Sequence, residues 1–192
     1  EKSLLSHEDT VITSTKYDMV KEIDEPYYAK QYFHWILKAI KSEALPSDSI
    51  CLDLGCGQGR LSFPLAKHFK TGKVIGVDFS PTAIETAKKY LLKEGLKNVE
   101  FSITPIEDAI CDYKTDSFNV IIMNEVTFYY PAWRGLMENI KSILKPSGIL
   151  FISFRSLYFN ALILTKHKLL KNIDLLLNER TGNVFNGPTG FT

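Results

Sequence analysis

Short apolar runs alternate along the chain with longer segments in which apolar residues recur at helical spacing. The short runs have the length of buried strands, and the longer segments have the period of amphipathic helices. The predicted order is helix 27–42, strand 49–54, helix 58–69, strand 73–78, helix 80–94, strand 98–103, strand 117–124, helix 132–143, strand 148–155 and helix 157–179. Strands that alternate with helices indicate a parallel sheet with helices on both faces. We therefore expect a doubly wound α/β fold with a mostly parallel sheet.

The first predicted strand leads into a run that contains three glycines. Asp53 is followed by Gly55, Gly57 and Gly59, in the spacing G-x-G-x-G. Glycine lets the backbone turn sharply and lets a ligand approach the main chain without a Cβ in the way. The helix predicted at 58–69 would present free N–H groups to that ligand. The combination indicates a turn for a nucleotide-containing cofactor, although a glycine run alone is also compatible with a flexible surface turn.

The spacing of the glycines separates two classes of cofactor turn. Dinucleotide-binding folds use G-x-G-x-x-G, and here Arg60 stands at the third glycine position. An acid two residues before G-x-G-x-G resembles motif I of the class I S-adenosylmethionine (SAM)-dependent methyltransferases. The resemblance implies a Rossmann-like sheet with SAM as cofactor and S-adenosyl-L-homocysteine as product. The cofactor-binding residues that it implies here are Asp53, Gly55, Cys56, Gly57 and Gly59.

The second predicted strand ends in Asp78, about twenty residues after the glycine turn, where an acid can reach ribose hydroxyls. A carboxylate accepts several hydrogen bonds, which suits a vicinal diol. The resemblance implies that Asp78 binds the ribose and that Phe79 packs on the adenine. The alternative is that Asp78 only ends a strand, but Ser80 and Pro81 already provide the cap and first residue of the next helix.

After the third predicted strand the chain departs from the family pattern. Thr104 and Pro105 stand where many relatives have Gly-Asp, whose acid accepts a hydrogen bond from the adenine amino group. Proline offers no such side chain. Glu107 or Asp108 can substitute, and the Ile106 N–H can donate to the ring. Both acids are equally compatible with solvated loop charges.

The fourth predicted strand has a polar end at Asn124 and Glu125, which the resemblance places beside the methionine part of SAM and the transferring methyl group. The sequence lacks the Asn-Pro-Pro-Tyr or Asp-Pro-Pro-Tyr motif of enzymes that methylate amino groups of adenine or glutamine, and it lacks a Pro-Cys pair for attack on cytosine. The turn at 145–148 resembles the one before strand five of the family. The resemblance covers residues 49–155.

Aromatic residues cluster in two places outside the cofactor motifs. Tyr28, Tyr32 and Trp35 share one face of the first predicted helix, and a second group follows the fourth strand. Each group fits either packing against the core or walling an acceptor pocket. The candidate substrate residues are Tyr28, Tyr32, Tyr130 and Trp133. The sequence identifies no catalytic residue; the candidates that it offers are His34 and Tyr129.

We expect three segments along the chain. Residues 1–45 form an N-terminal helical lid, residues 46–180 the SAM-binding domain, and residues 181–192 an irregular, truncated tail. Gly and Pro are too dense in that tail for a long strand. The family's last two strands are therefore expected to be missing, which would leave the edge at 148–155 exposed and able to pair with a second copy.

The composition of the chain limits the kinds of partner that it is expected to bind. The 192 residues carry a net charge of +1, which provides no basic field for a nucleic acid. Three cysteines without paired spacing favour a reducing, cytoplasmic setting, and four histidines show no metal-ligand spacing. We expect no metal site and no membrane span.

The predicted activity is direct displacement of the SAM methyl group by a small-molecule acceptor, in the branch that resembles the ubiquinone and menaquinone biosynthesis enzymes. One alternative is methylation of RNA or protein with a partner subunit. Another is a non-catalytic SAM-binding scaffold. An NAD-dependent oxidoreductase is a more distant alternative.

Overall fold

The computed structural model of the chain describes residues 25–127 and 131–166, with residues 173–174, 177, 182–183 and 190–191 of the C-terminal part. Its elements, in chain order, are α1 (Glu25–Ser42), β1 (Ile50–Leu54), α2 (Ser62–His68), β2 (Lys73–Asp78), α3 (Pro81–Glu94), β3 (Val99–Ile103), α4 (Ile106–Cys111), β4 (Phe118–Met123), a 3₁₀ helix (Pro131–Leu136), α5 (Met137–Ile143), β5 (Leu144–Ile152), α6 (Leu157–Lys166), β6 (Gly182–Asn183) and β7 (Gly190–Phe191).

The main sheet of the described residues has five strands in the order β3-β2-β1-β4-β5. Every neighbouring pair in it is parallel. The chain first adds strands on one side of β1 and then returns to add β4 and β5 on the other side. Such a reversal creates a crevice at the carboxyl ends of the strands, where folds of this kind bind ligands. The predicted doubly wound, parallel fold is confirmed.

Helices cover both faces of this sheet. Buried residues of α1, α2 and α3 pack in one hydrophobic cluster, and those of α4 and α5 pack in a second. The strands between them read as nearly continuous apolar runs because both of their faces are buried. β1, for example, is buried from Cys51 to Leu54. The core therefore holds the carboxyl ends of the central strands in fixed positions.

Local signals set several helix boundaries. The Ser80 side chain accepts a hydrogen bond from the Ala83 N–H at 3.3 Å, and Pro81 is the first residue of α3. Gly95 ends α3 in the left-handed region at φ +66°. These are the cap and stop that the sequence predicts.

Three elements begin at residues or in conformations that differ from the prediction, and one short helix was not predicted. α2 begins at Ser62 rather than at 58, because the glycine turn keeps the preceding backbone out of the helical region. The segment predicted as helix 132–143 begins as the 3₁₀ helix, β5 begins at Leu144, and α4 was not predicted. Short elements escape pattern reasoning because six or seven residues hold too few periods.

β5 is an edge strand of the described sheet, and most of its residues are of intermediate exposure. In the tail, the two-residue strands β6 and β7 pair with each other in antiparallel fashion. Association of two copies through β5 stays a prediction. Among the described helices, none combines the length and apolarity that crossing a bilayer requires.

Candidate active site

The glycine turn after β1 owes its shape to three residues with positive φ. Gly55, Gly57 and Gly59 have φ values of +72°, +53° and +88°. A Cβ at Gly55 would lie 2.5 Å from a methyl carbon of Val126, and one at Gly59 would lie 2.7 Å from the Phe63 ring. These two positions require glycine for packing as well as for conformation.

Gly57 differs from the other two glycines because of the space beside it. A Cβ built there has no described atom within 4 Å. The backbone at this point is therefore open to an approaching ligand. The Gly57 N–H donates to Asp78 Oδ2 at 2.8 Å, so the turn and the end of β2 are joined at the same place.

Asp78 is held by two backbone donors. Its Oδ1 accepts from the Ser80 N–H at 2.9 Å while its Oδ2 accepts from Gly57. Burial raises the pKa of Asp78, and the N–H groups of Ser80 and Gly57 oppose that rise. A carboxylate has more acceptor positions than these two bonds use. The carboxylate is thus positioned in advance and keeps capacity for the hydroxyls of a ribose.

Asp53 stabilises the turn from beneath. It is only 3% exposed, and its Oδ2 accepts from the Ser62 hydroxyl at 2.6 Å, which ties the end of β1 to the first residue of α2. Burial raises the pKa of Asp53 to about 6, although the Ser62 hydroxyl and the nearby Arg60 guanidinium oppose part of the rise. The geometry gives Asp53 the place of a residue that shapes the turn.

Cys56 is also engaged within the turn. Its N–H donates to the Val77 carbonyl at 2.9 Å, and its carbonyl accepts from the Gly59 N–H at 2.9 Å. Burial raises the pKa of its thiol well above the ordinary value. The expected contact of Cys56 with the cofactor stays a prediction, while its hydrogen bonds serve the turn itself.

The ends of β2 and β3 form the side of the site that was predicted for adenine. The Thr104 N–H donates to the Asp78 carbonyl at 2.9 Å, and Pro105 then precedes α4. Ile106 and Glu107 begin that helix and are both partly buried. The structure thus brings Ile106 and Glu107 to the same end of the sheet as Asp78, and Phe79 follows Asp78 directly. Their roles toward adenine stay predictions.

At the end of β4 the side chain of Asn124 is a buried amide with an unused donor. Its Nδ2 has no hydrogen-bond partner among the described residues. It lines a cavity of about 90 Å³ whose other lining residues are mostly apolar. A buried donor without a partner costs about 1–3 kcal/mol, so such groups are rare unless a ligand satisfies them.

A larger cavity of about 380 Å³ opens beside the glycine turn. It is formed by α1, the turn after β1, the end of β4 and the segment after β5. Its lining residues are Tyr28, Tyr32, Arg60, Glu125, Phe154, Arg155, Ser156 and Phe159. Tyr28 and Tyr32 were predicted as substrate residues, whereas the other six were not. The two cavities share Tyr32.

The other predicted residues fall in three different environments. The Trp133 ring packs against Phe154, with ring centroids 4.8 Å apart, and therefore supports the wall of the larger cavity without lining it. His34 is exposed, stacks edge-on against Trp35 and lines neither cavity, so the geometry does not support it as a base. Tyr129 and Tyr130 lie outside the described residues.

The lining residues that were not predicted as substrate residues, Arg60 excepted, share one signal. Glu125 lies two residues after β4, and Phe154, Arg155, Ser156 and Phe159 follow β5. The carboxyl ends of neighbouring parallel strands meet at one edge of the sheet. Polar residues directly after β4 and β5 were therefore candidates on topology alone, although no fixed spacing marks them.

Comparison with known proteins now decides the family. A family model described as a methyltransferase domain matches residues 45–179. The chain belongs to the class I SAM-dependent methyltransferases. The ubiquinone biosynthesis O-methyltransferase of Actinobacillus pleuropneumoniae is 33% identical over 105 residues, which cover 53% of this chain and 44% of that protein. The chain spans about half the length of the curated relatives that it matches.

One solved structure supports the fold of this methyltransferase, and a second supports both its fold and its cofactor. The PH0226 protein from Pyrococcus horikoshii OT3 superimposes with a TM-score of 0.65 and 23% identity, over 87% of this chain and 72% of that one. PKMT2 from Rickettsia typhi, in complex with AdoHcy, gives a TM-score of 0.57 and 27% identity, over 65% of this chain and 24% of that one. AdoHcy is what SAM becomes after its methyl group leaves. The predicted family, enzyme class and cofactor are confirmed.

The methyltransferase site fits SAM on its own geometry. Asp78 presents a positioned carboxylate at the end of β2, and Gly57 leaves the backbone open between β2 and β4. Asn124 offers an unsatisfied amide donor at the end of β4. These groups follow one another from the end of β2 to the end of β4. A ligand that carries hydroxyl groups at one end and a hydrogen-bond acceptor at the other suits this arrangement.

Proposed function

We propose that this methyltransferase transfers the SAM methyl group to a small aromatic molecule bound in the 380 Å³ cavity. The observation that carries the proposal is the cavity itself. It borders the glycine turn at Arg60 and the end of β4 at Glu125, and aromatic side chains form much of its wall. Ligand pockets for small molecules have volumes of about 300–1,000 Å³ and are lined in this way.

The position of the cavity along the sheet supports its role as the acceptor site. Asp78 ends β2, on one side of β1, whereas the cavity lies at the ends of β4 and β5, on the other side. A cofactor held by Asp78 would leave the β4–β5 side free for a second ligand. The two ligands would meet near the glycine turn and the end of β4.

The net charge of the chain and the name of one relative both support a small-molecule acceptor. The net charge of +1 offers little attraction for a polyanion such as RNA. The relative from Actinobacillus pleuropneumoniae is named for ubiquinone biosynthesis and for methylation at oxygen. A small molecule with an aromatic ring is consistent with that name and with the wall of the cavity.

Catalysis in this site would rest mainly on the alignment of SAM with the acceptor molecule. Bound SAM supplies a sulfonium-activated methyl group, and what the chain must add is alignment of the acceptor and exclusion of water. Alignment of two bound reactants can lower a barrier by about 7–11 kcal/mol. Tyr28 and Tyr32 would serve that purpose, because both residues belong to α1 and line the cavity.

The test is to follow labelled methyl groups into cell material. Purified protein is incubated with methyl-labelled SAM and with separate small-metabolite, RNA and protein fractions of an extract. Label in the small-metabolite fraction is expected, and a Phe154→Asp variant should lose it while still binding AdoHcy in a calorimetric titration. Label found in RNA or protein instead would overturn the small-molecule proposal, and failure to bind SAM would overturn enzymatic methyl transfer altogether.

A further inference from the structure

We infer that Glu125 is the group that accepts the proton of a hydroxyl-bearing aromatic acceptor, and that Tyr32 positions the Glu125 carboxylate for this purpose. The inference rests on the proposed function and deepens it, since it names the chemical class of the acceptor. It is carried by the backbone of Glu125, by the hydrogen bond to Tyr32 and by the place of both side chains in the cavity.

The backbone of Glu125 is strained and held in place. Its φ of +60° lies in the left-handed region, which is unfavourable for a residue with a Cβ. Its N–H donates to Ser153 Oγ at 2.6 Å, and the Ser153 N–H donates to the Met123 carbonyl at 3.1 Å. The Thr127 hydroxyl also donates to the Ser153 carbonyl at 2.9 Å. These bonds fix the loop after β4 against the end of β5.

The side chain of Glu125 is then aimed by a residue from another part of the fold. The Tyr32 hydroxyl donates to Glu125 Oε1 at 2.7 Å, across 93 residues of sequence. This bond joins α1 to the end of β4. An ionised carboxylate can accept several hydrogen bonds on its two oxygens, so the bond from Tyr32 leaves room for one from an acceptor hydroxyl.

The surroundings of Glu125 suit an aromatic acceptor. The rings of Tyr28, Phe154 and Phe159 line the same cavity and offer apolar faces to a planar molecule. Glu125 is the anionic side chain of that lining, so its carboxylate can accept a hydrogen bond from a neutral hydroxyl of the acceptor. A polar atom opposite apolar walls also fixes the orientation of the ring.

The other charged and titratable groups of the cavity come from each element around it. They are Tyr28 and Tyr32 on α1, Arg60 in the glycine turn and Arg155 after β5. Arg60 and Arg155 give the cavity two positive charges beside the Glu125 carboxylate.

Proton transfer from the acceptor to Glu125 accompanies methyl transfer to the acceptor oxygen. The acceptor O–H bond breaks, and its proton passes to the Glu125 carboxylate. The oxygen electron pair forms the new bond to the methyl carbon, while the methyl–sulfur bond breaks and its electron pair stays on sulfur, which leaves AdoHcy. The proton is then released from Glu125 to water. A general base of this kind contributes about 10²–10⁴-fold to a rate.

The first experiment uses 4-nitrophenol as the probe, because its absorbance distinguishes the phenol from the phenolate. The probe is titrated into the protein in the presence of AdoHcy, over a range of pH. The wild type should bind the protonated form preferentially. The Glu125→Gln variant should lose about tenfold or more of the affinity for that form, as expected for a hydrogen bond to a charged acceptor. Glu138→Gln, at an exposed position of α5, is the matched control and should leave the titration unchanged.

The second experiment separates a proton acceptor from a structural contact. With the acceptor recovered by methyl labelling, Glu125→Gln should lower kcat by about 10²–10⁴-fold and abolish the acid limb of its pH profile. Tyr32→Phe should lower kcat less and keep that limb, because the carboxylate remains.

The results that contradict the inference differ from those that contradict the proposed function. If AdoHcy does not bind to the wild type, the proposed function fails. If AdoHcy binds but 4-nitrophenol does not, or if Glu125→Gln leaves both the probe titration and the pH profile unchanged, only the assignment of Glu125 fails. Equal effects of the Glu125 and Tyr32 variants on stability, with no change in the pH profile, would show a purely structural contact.

Discussion

The proposed cofactor side and the proposed acceptor side of the site are assembled in different ways. On the cofactor side, the glycine turn and Asp78 lie within 24 residues of one another in sequence, and their positions follow from local backbone requirements. On the acceptor side, Tyr32, Glu125 and Arg155 come from three distant parts of the chain and meet only because the sheet brings its strand ends together. The cofactor side is thus constrained by conformation, whereas the acceptor side is constrained by topology and is free to vary.

The difference has a functional consequence. Residues that hold a common cofactor need the same backbone in every relative, while residues that hold the acceptor must change with the acceptor. Gly59 illustrates the first kind, since a Cβ there would meet two aromatic rings. Phe159 illustrates the second, since it lies at 41% exposure on a helix that follows β5. Substitutions on the cofactor side should therefore affect stability and SAM affinity most strongly, and their effect should decrease toward the acceptor side.

The largest effect is expected from Gly59→Ala. The new Cβ would lie 2.7 Å from the Phe63 ring and 2.9 Å from the Phe101 ring, at a backbone φ of +88°. Backbone strain and overpacking each cost about 1–3 kcal/mol, so the free energy of unfolding should fall by about 2–6 kcal/mol. Urea unfolding measures this directly.

Gly57→Ala is the matched control within the same turn. Its Cβ meets open space, so the loss of stability should be confined to about 1–2 kcal/mol of backbone strain. SAM affinity should nevertheless fall by more than about tenfold, which corresponds to about 1.4 kcal/mol. Equal stability losses in the two variants would show that the turn is not packed as described.

The second prediction concerns the pH dependence that Asp53 introduces. Because burial raises its pKa from 3.8 to about 6, the folded state holds a proton that the unfolded chain loses at lower pH. This stabilising contribution is fully present below about pH 4 and is lost as the pH rises through about 6. Asp53→Asn removes the titration, so its stability relative to the wild type should rise by up to about 3 kcal/mol between about pH 4 and pH 7.

Urea unfolding at several pH values across that range would check the prediction for Asp53. Asp48→Asn, at an exposed position before β1, serves as the control and should run parallel to the wild type. A constant difference between Asp53→Asn and the wild type across that range would mean that folding does not raise the pKa of Asp53.

The cofactor side was also the more predictable side from sequence. Asp53, the three glycines and Asp78 stand at spacings that the backbone itself dictates, and the structure brings all of them to one end of the sheet. Glu125 stands beside Asn124 at the polar end of the fourth predicted strand, yet its hydrogen bond to Tyr32, at a separation of 93 residues, leaves no mark in the sequence. α4 was missed for a different reason, since six residues after Pro105 are too few to show a helical period.

The third prediction tests Asp78 as the ribose-binding residue. Asp78→Ala should lower SAM affinity about 100-fold, because hydrogen bonds from a ligand to a charged acceptor contribute about 1.5–3 kcal/mol each. Asp78→Asn keeps an acceptor oxygen and should lose less. Calorimetric titration with SAM measures both, with Asp48→Ala as the exposed control. Unchanged affinity in Asp78→Ala would place the ribose elsewhere and would remove the basis for separating the two sides at β1.

The smallest effect is expected at Asn124, where the two sides meet. Its Nδ2 is buried without a described partner and faces the small cavity that it shares with Tyr32 and Trp35. Asn124→Leu removes an unsatisfied donor from a largely apolar site, so the protein without cofactor should become more stable by about 1 kcal/mol. If the amide donates to the cofactor, SAM affinity should fall about tenfold in the same variant. Opposite signs for stability and affinity would identify Asn124 as a ligand-binding residue, whereas a loss of both would assign it to the core. Thermal unfolding with and without SAM measures the two effects on one sample. A loss of SAM affinity would place Asn124 on the cofactor side of the site, and unchanged affinity would place it on the acceptor side.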